Sequence, residues 1–185
     1  MAGRFLALHY RVYGLLGTLP GQLHGPLHGL GGALTRVAPL GTVLPLRAHK
    51  DPHQPFYPGE AFAGRSAGGP YGDAVSEFDW SVGQVIAALR RSGVADNTLV
   101  VVTSDNGPWF EGDPGRHRGR KGQSYEGGFR VPMIARYPNV IPAGRVCTEP
   151  AMNIDFFPTS LALAGVEPPQ DRTIDGRNIL GLMTG

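Results

Sequence analysis

Asp105 and Asn106 stand side by side in Thr103-Ser104-Asp105-Asn106-Gly107-Pro108, directly after the apolar run Leu99-Val100-Val101-Val102. A carboxylate and an amide oxygen on adjacent residues are hard donors of the kind that hold calcium or magnesium. The same residues are also turn formers, and Asp-Asn-Gly-Pro taken alone reads as a β-turn. Downstream, Gly119-Arg120-Lys121-Gly122 sets an ammonium between two glycines that let the backbone come close to a ligand. Lys121 is thereby a candidate to neutralise anionic oxygens. The neighbouring Arg116, His117, Arg118 and Arg120 equally fit a solvated charged loop or a nucleic-acid contact. His53, in Pro52-His53-Gln54-Pro55-Phe56, lies in an extended, proline-bounded loop. A lone histidine there has two readings, an ordinary surface or core residue or a titrating group in a site.

These groups must be positioned by regular elements. Val75, Phe78, Val82, Val85, Ile86 and Leu89 recur at helical spacing, with Glu77, Arg90 and Arg91 among the polar positions. The pattern predicts a helix capped at Asp73 and stopped by Gly93. Asp96-Asn97 then turns the chain into a buried strand over residues 99–103, central and parallel to its neighbours. Ligands of α/β sheets bind at the carboxyl ends of strands, which is where Asp105 and Asn106 fall. A second short strand is expected over residues 131–136, with Pro132 near its start or at an edge. A short helix is expected from Pro158 to Ala164, closed by Gly165. Trp109 reads as packing or as the rim of a cleft. Tyr125 and Glu126 read as fixing the loop that follows Lys121.

Composition narrows the function classes. The chain has 185 residues, enough for one domain with a sizeable core, and 28 Gly and 17 Pro predict many turns. The formal charge of +2 conceals an asymmetry. Residues 1–50 carry Arg4, Arg11, Arg36, Arg47 and Lys50 with no acid, so the remainder is net negative. That remainder gives nucleic-acid binding no support. No apolar run reaches membrane-spanning length. Cys147 is the single cysteine, which excludes an intramolecular disulfide, and no base stands beside it in sequence to make it a nucleophile. Residues 1–46 show neither helical nor strand periodicity and no recognisable domain. We read them as an out-of-frame or disordered leader; Met1 to Leu8 starts like a signal peptide, but His9 and Arg11 interrupt it.

From Arg47 onward the order of motifs resembles the sulfatase family of the alkaline-phosphatase-like superfamily. The resemblance rests on Ala48-His49-Lys50-Asp51-Pro52-His53-Gln54-Pro55, Ser104-Asp105-Asn106-Gly107-Pro108, Lys121-Gly122 and Tyr125-Glu126-Gly127-Gly128. Arg130-Val131-Pro132, Ile141-Pro142-Ala143-Gly144 and Asp155-Phe156-Phe157-Pro158-Thr159 continue in family order. It implies an α/β sandwich with a mostly parallel central sheet, present over residues 47–185 as a partial domain. It implies hydrolysis of small-molecule or glycan sulfate esters, with Asp105 and Asn106 as ligands of Ca2+ or Mg2+. Lys121 would contact the sulfate, and His53 would protonate the leaving alcohol; His49 is a secondary candidate. Family members are usually exported.

The resemblance also implies parts that this sequence does not hold. The family nucleophile is a formylglycine made within a Cys/Ser-x-Pro/Ala-x-Arg motif, and Cys147 is followed by Thr148-Glu149-Pro150-Ala151. Nothing matches the early strand that brings two more carboxylates to the metal. We therefore expect a sulfuric ester hydrolase by family that is inactive as an isolated 185-residue chain. The alternatives are a non-catalytic anion-binding module and a related metal-dependent phosphohydrolase.

Overall fold

A computed structural model describes residues 49–185, together with the backbone of a strand pair, β1 (Leu34–Arg36) and β2 (Val43–Pro45). β1 and β2 are antiparallel, with Thr35 opposite Leu44. Three-residue strands are too short to show a period, so the sequence pattern did not reveal them. The rest of the leader reading lies outside the described residues.

The long helix α1 (Gly69–Arg91) starts five residues earlier than expected, with Pro70 in its first turn where a missing N–H costs nothing. Asp73 is therefore not the cap. Its buried carboxylate instead accepts the backbone N–H groups of Gly64, Arg65 and Ser66 at 2.7, 3.1 and 2.7 Å. One turn on, Glu77 accepts the N–H of Gly59 at 2.7 Å. Two acids on one helical face thus fasten the preceding loop, which has no sheet to satisfy its amides. The helix ends as expected, with Gly93 at φ +68° and its N–H donated to the Arg90 carbonyl. The buried face is rotated from the expected one. Ala74, Ser81, Ile86 and Leu89 are buried, while Val75 is exposed.

A 3-10 turn at Ala95–Asn97 leads into β3 (Val100–Val102), which pairs antiparallel with β4 (Ile134–Arg136), Val101 opposite Ala135. This corrects the expectation of parallel neighbours: among the described residues the partner of β3 is antiparallel, and each sheet has two strands. The apolar run at 99–102 comes from burial on both faces, a property that parallel strands share with any covered strand. β4 is also shorter than expected, because Val131, Pro132 and Met133 stay outside the ladder.

Helices cover both faces of the β3–β4 pair, and alternation along the strand assigns the sides. Val100 packs with Leu89 and Ala95, from α1 and the turn after it. Val101 and Ala135 pack against Phe156, Ile179 and Met183. Those residues come from α3 (Phe156–Leu163) and from α4 (Leu180–Thr184) with its preceding residue. α3 has Pro158 in its first turn and is closed by Gly165 at φ +66°. Buried Asp155 joins this layer, accepting the N–H groups of Met152 and Arg177 at 2.7 and 2.9 Å. The Thr159 hydroxyl donates to the Asp155 carbonyl and accepts from the Ile179 N–H.

Beyond the end of β3 three segments cross in backbone contact. Gly107 donates its N–H to the Gly128 carbonyl at 2.9 Å, and Gly127 donates to the Arg118 carbonyl at 2.8 Å. Gly127 and Gly128 sit in the short helix α2 (Glu126–Phe129). A Cβ on Gly107 would overlap the Gly127 carbonyl oxygen; one on Gly127 would overlap Gly119 O, and one on Gly128 would overlap Gln123 O. The glycines are there because main chain meets main chain.

Two measurements test these assignments. Gly107→Ala is expected to destabilise the chain by about 3 kcal/mol in urea unfolding, since backbone cannot yield as a flexible side chain would. Gly83→Ala, in open space on α1, should stabilise it by roughly 0.5–1 kcal/mol. Asp73 has the second test. Backbone N–H donors, Ser66 first and then Gly64, hold its carboxyl below the usual carboxylate range against the opposing effect of burial. A depressed folded pKa stabilises above the unfolded value of about 3.9, and the gain is lost as pH falls through the lower folded value. Thermal unfolding from about pH 7 to about pH 3 should show a larger loss of Tm in the native chain than in Asp73→Asn.

Candidate active site

The crossing of glycines sets where the candidate groups lie. Asp105 and Asn106 follow β3 by three and four residues, ahead of the fixed point at Gly107. Asp105 is exposed, and its Oδ1 accepts from the Ser104 hydroxyl at 3.3 Å. The same hydroxyl lies 3.1 Å from the Asn106 carbonyl oxygen, so it steadies both residues. The Asn106 side chain makes no hydrogen bond among the described residues. Asn153 holds the base of the turn by donating to the Ser104 carbonyl at 3.2 Å.

Lys121 is joined to this segment through its own main chain. Its N–H donates to the Pro108 carbonyl at 3.0 Å, two residues beyond Asn106. Gly119 and Gly122, on either side, take φ of +85° and +84°, so only glycine turns the loop back at both places without strain. The half-buried Lys121 ammonium has no ion-pair partner among the described residues. Lys121 lines an open depression of about 630 Å3 whose walls include Trp109, Phe110, His117, Arg120 and Gln123. Asp105, Asn106 and His53 are not among the cavity's lining residues.

His53 reaches the same region through its neighbour. The Gln54 side-chain amide donates to the Glu111 carboxylate, tying the His53 loop to the segment after Pro108. The His53 ring is exposed, with Nδ1 2.6 Å from the Gln54 carbonyl oxygen. A carbonyl can only accept, so Nδ1 carries the proton and Nε2 is left for a ligand. His49 is turned elsewhere: it packs edge-on against Phe78 at 4.9 Å and meets the Ser81 hydroxyl, both on α1.

The structure separates other residues that sequence left equivalent. Arg120 is a clamp, donating from Nη1 to the carbonyls of Trp109 at 2.8 Å and Gly112 at 2.5 Å. Arg118 lies over the Tyr125 ring at 3.9 Å. Tyr125 lies under Arg118, and the exposed Glu126 pairs with Arg130 across one helical turn at 3.0 Å. Trp109 lines the cavity rim. The roles of Arg120 and Gln54 escaped sequence reading because their partners are carbonyls or acids placed by tertiary contact. The one sequence trace is Gly112, where a Cβ would press on Pro108 and on the Tyr71 hydroxyl.

The donors suit a hard cation in kind but fall short in number. Calcium takes about 6–8 oxygens. Asp105 and Asn106 supply two positions, and among the described residues no cluster of three His, Cys, Asp or Glu is poised to hold a metal.

Comparison with known proteins bears on the family of the chain. The sulfatase family model matches residues 44–166. The chain is 47% identical over 143 residues to the steryl-sulfatase of Rattus norvegicus, spanning 72% of this chain and 25% of that protein. It is 47% identical over 137 residues to the N-acetylgalactosamine-6-sulfatase of Sus scrofa, spanning 71% and 26% respectively. Among solved structures, the PsFucS1 sulfatase from Pseudoalteromonas sp. superposes with a TM-score of 0.67 at 36% identity, over 72% of this chain and 28% of that one. The chain spans about a quarter of the length of the curated relatives it matches. With two thirds of its residues under one family model, the chain belongs to the sulfatase family.

Proposed function

We propose that the chain carries the metal-holding and sulfate-holding side of a sulfuric ester hydrolase site. The observation that carries this is Lys121: a half-buried residue that lines the depression, its ammonium without an ion-pair partner among the described residues, its backbone bonded to Pro108 just past Asn106. In this reading Lys121 neutralises the sulfate oxygens and draws charge from the bridging S–O bond. His53, protonated at both ring nitrogens, gives the Nε2 proton to the departing alcohol oxygen while Nδ1 stays oriented by the Gln54 carbonyl. Asp105 and Asn106 are proposed as two ligands of Ca2+ or Mg2+, which when bound would screen the sulfate charge.

Attack on sulfur is the step for which this sequence supplies no group, since it contains no Cys/Ser-x-Pro/Ala-x-Arg motif. The isolated 185-residue chain is therefore proposed to bind sulfate and its esters without appreciable turnover. The names of the relatives, steryl-sulfatase and N-acetylgalactosamine-6-sulfatase, point to sulfate esters of ring-bearing alcohols as the substrate class.

Calorimetry on the 185-residue chain tests the assignment. Inorganic sulfate should bind, and Lys121→Met should weaken that binding about tenfold or more, the value of a hydrogen bond to a charged group. Calcium should bind weakly, and Asp105→Ala should remove the signal. Sulfate binding indifferent to Lys121→Met would refute the site. Metal-dependent hydrolysis of an aryl sulfate by this chain, abolished by Asp105→Ala, would refute the absence of a nucleophile.

A further inference from the structure

Beside Lys121 the cavity has a second, chemically different wall. Trp109 and Phe110 are adjacent in sequence, yet both rings stand in solvent, 46% and 69% exposed. Their centroids are 4.8 Å apart and their planes meet at 82°, so the pair forms a corner and not a stacked slab. Consecutive aromatics that face water are normally mobile, but this pair is fixed from behind. The Arg120 guanidinium binds the Trp109 carbonyl and the Gly112 carbonyl, and its carbon lies 5.5 Å from the Phe110 ring centroid. The cation therefore holds the backbone of one aromatic residue and the ring of the next. Below them Gly112 is packed so closely on Pro108 and Tyr71 that the segment cannot sink further into the protein.

An apolar corner held by Arg120, beside an ammonium with no ion-pair partner among the described residues, matches a ligand with an anionic end and a flat apolar body. The depression of about 630 Å3 is open to solvent, so a ring laid against the corner keeps one face in water. We infer that Trp109 and Phe110 are specificity-determining residues that seat the alcohol half of the ester by ring stacking, while Lys121 takes the sulfate. This inference rests on the assignment of Lys121 made above and adds a preference to it. Alcohols with a flat face, aryl or pyranose, should be favoured over small acyclic ones. Arg120 is the positioning residue for this wall and does not itself need to touch the ligand.

The two tryptophans of the chain make the test direct. Trp80 lies on α1 against Phe62, so Trp80→Phe leaves Trp109 as the sole emitter. The full 185-residue chain carrying that change would be titrated with phenyl sulfate, galactose 6-sulfate, methyl sulfate and inorganic sulfate. At least one ring ester should perturb the Trp109 emission and bind about tenfold tighter than methyl sulfate, the scale of a stacked aromatic contact. The aryl and sugar arms tell which face the corner prefers. By calorimetry, Trp109→Ala should erase that advantage while inorganic sulfate binds as before, which also shows that the variant is folded. Phe110→Ala gives the same readout should Trp109→Ala not fold. Ring esters that bind no better than methyl sulfate, or an advantage that survives both aromatic variants, would overturn the stacking subsite and leave the Lys121 assignment intact. Failure of every sulfate species to bind would overturn both.

Discussion

Everything near the candidate site depends on one constraint: main chain touches main chain where Gly107, Gly127 and Gly128 meet the 118–123 loop. Hydrogen bonds between backbones fix position more firmly than contacts between long side chains, because no rotamers have to be ordered. Asp105 and Asn106 sit just before this crossing and Lys121 is bonded just after it. The relative placement of the backbones that carry the acid, the amide and the lysine is thus set by main-chain geometry. Side-chain packing then adds the finer settings, through Arg120 on its two carbonyls and Tyr125 beneath Arg118.

Elsewhere carboxylates take over the part that a wide sheet would play. The chain is rich in glycine and proline, and its described strands are three residues long. Much backbone must find partners outside ladders. Asp73 accepts three consecutive N–H groups from the loop before α1, and Asp155 joins the 152 turn to the Arg177 segment. Each acid brings a remote stretch of chain onto a helix that is itself packed on β3 or its neighbours. Helices on both faces of the β3–β4 pair then give the local layering.

Signals that are local in sequence were legible. Gly93 and Gly165 stop helices at positive φ, Pro158 opens α3, and the valine run forms β3, as periodicity and breaker residues require. Partnership was not legible. The antiparallel pairing of β3 with β4 joins residues more than 30 apart, and a doubly covered strand looks the same in either direction. Asp73 looked like a cap because a short acid at the start of an apolar period usually is one; the donors it serves lie before the helix begins. At the site, residue types identified Asp105, Asn106 and Lys121 as candidates. Arg120 stood hidden among equal charges, because a clamp is defined by the carbonyls it reaches.

The closure at Gly107 and Gly127 also divides labour along the chain. Residues between Pro108 and Lys121 form a loop whose two ends are joined by the Lys121 to Pro108 hydrogen bond. What happens inside a loop pinned at its base is mechanically insulated from what lies outside it. Trp109, Phe110 and His117 lie inside that loop, whereas Asp105 and Asn106 lie outside it. A substitution inside such a loop is expected to leave the backbone positions at its two ends unchanged. The segment is, in effect, an insert seated in a fixed holder: main chain closes its base, and its aromatic side chains are carried in between.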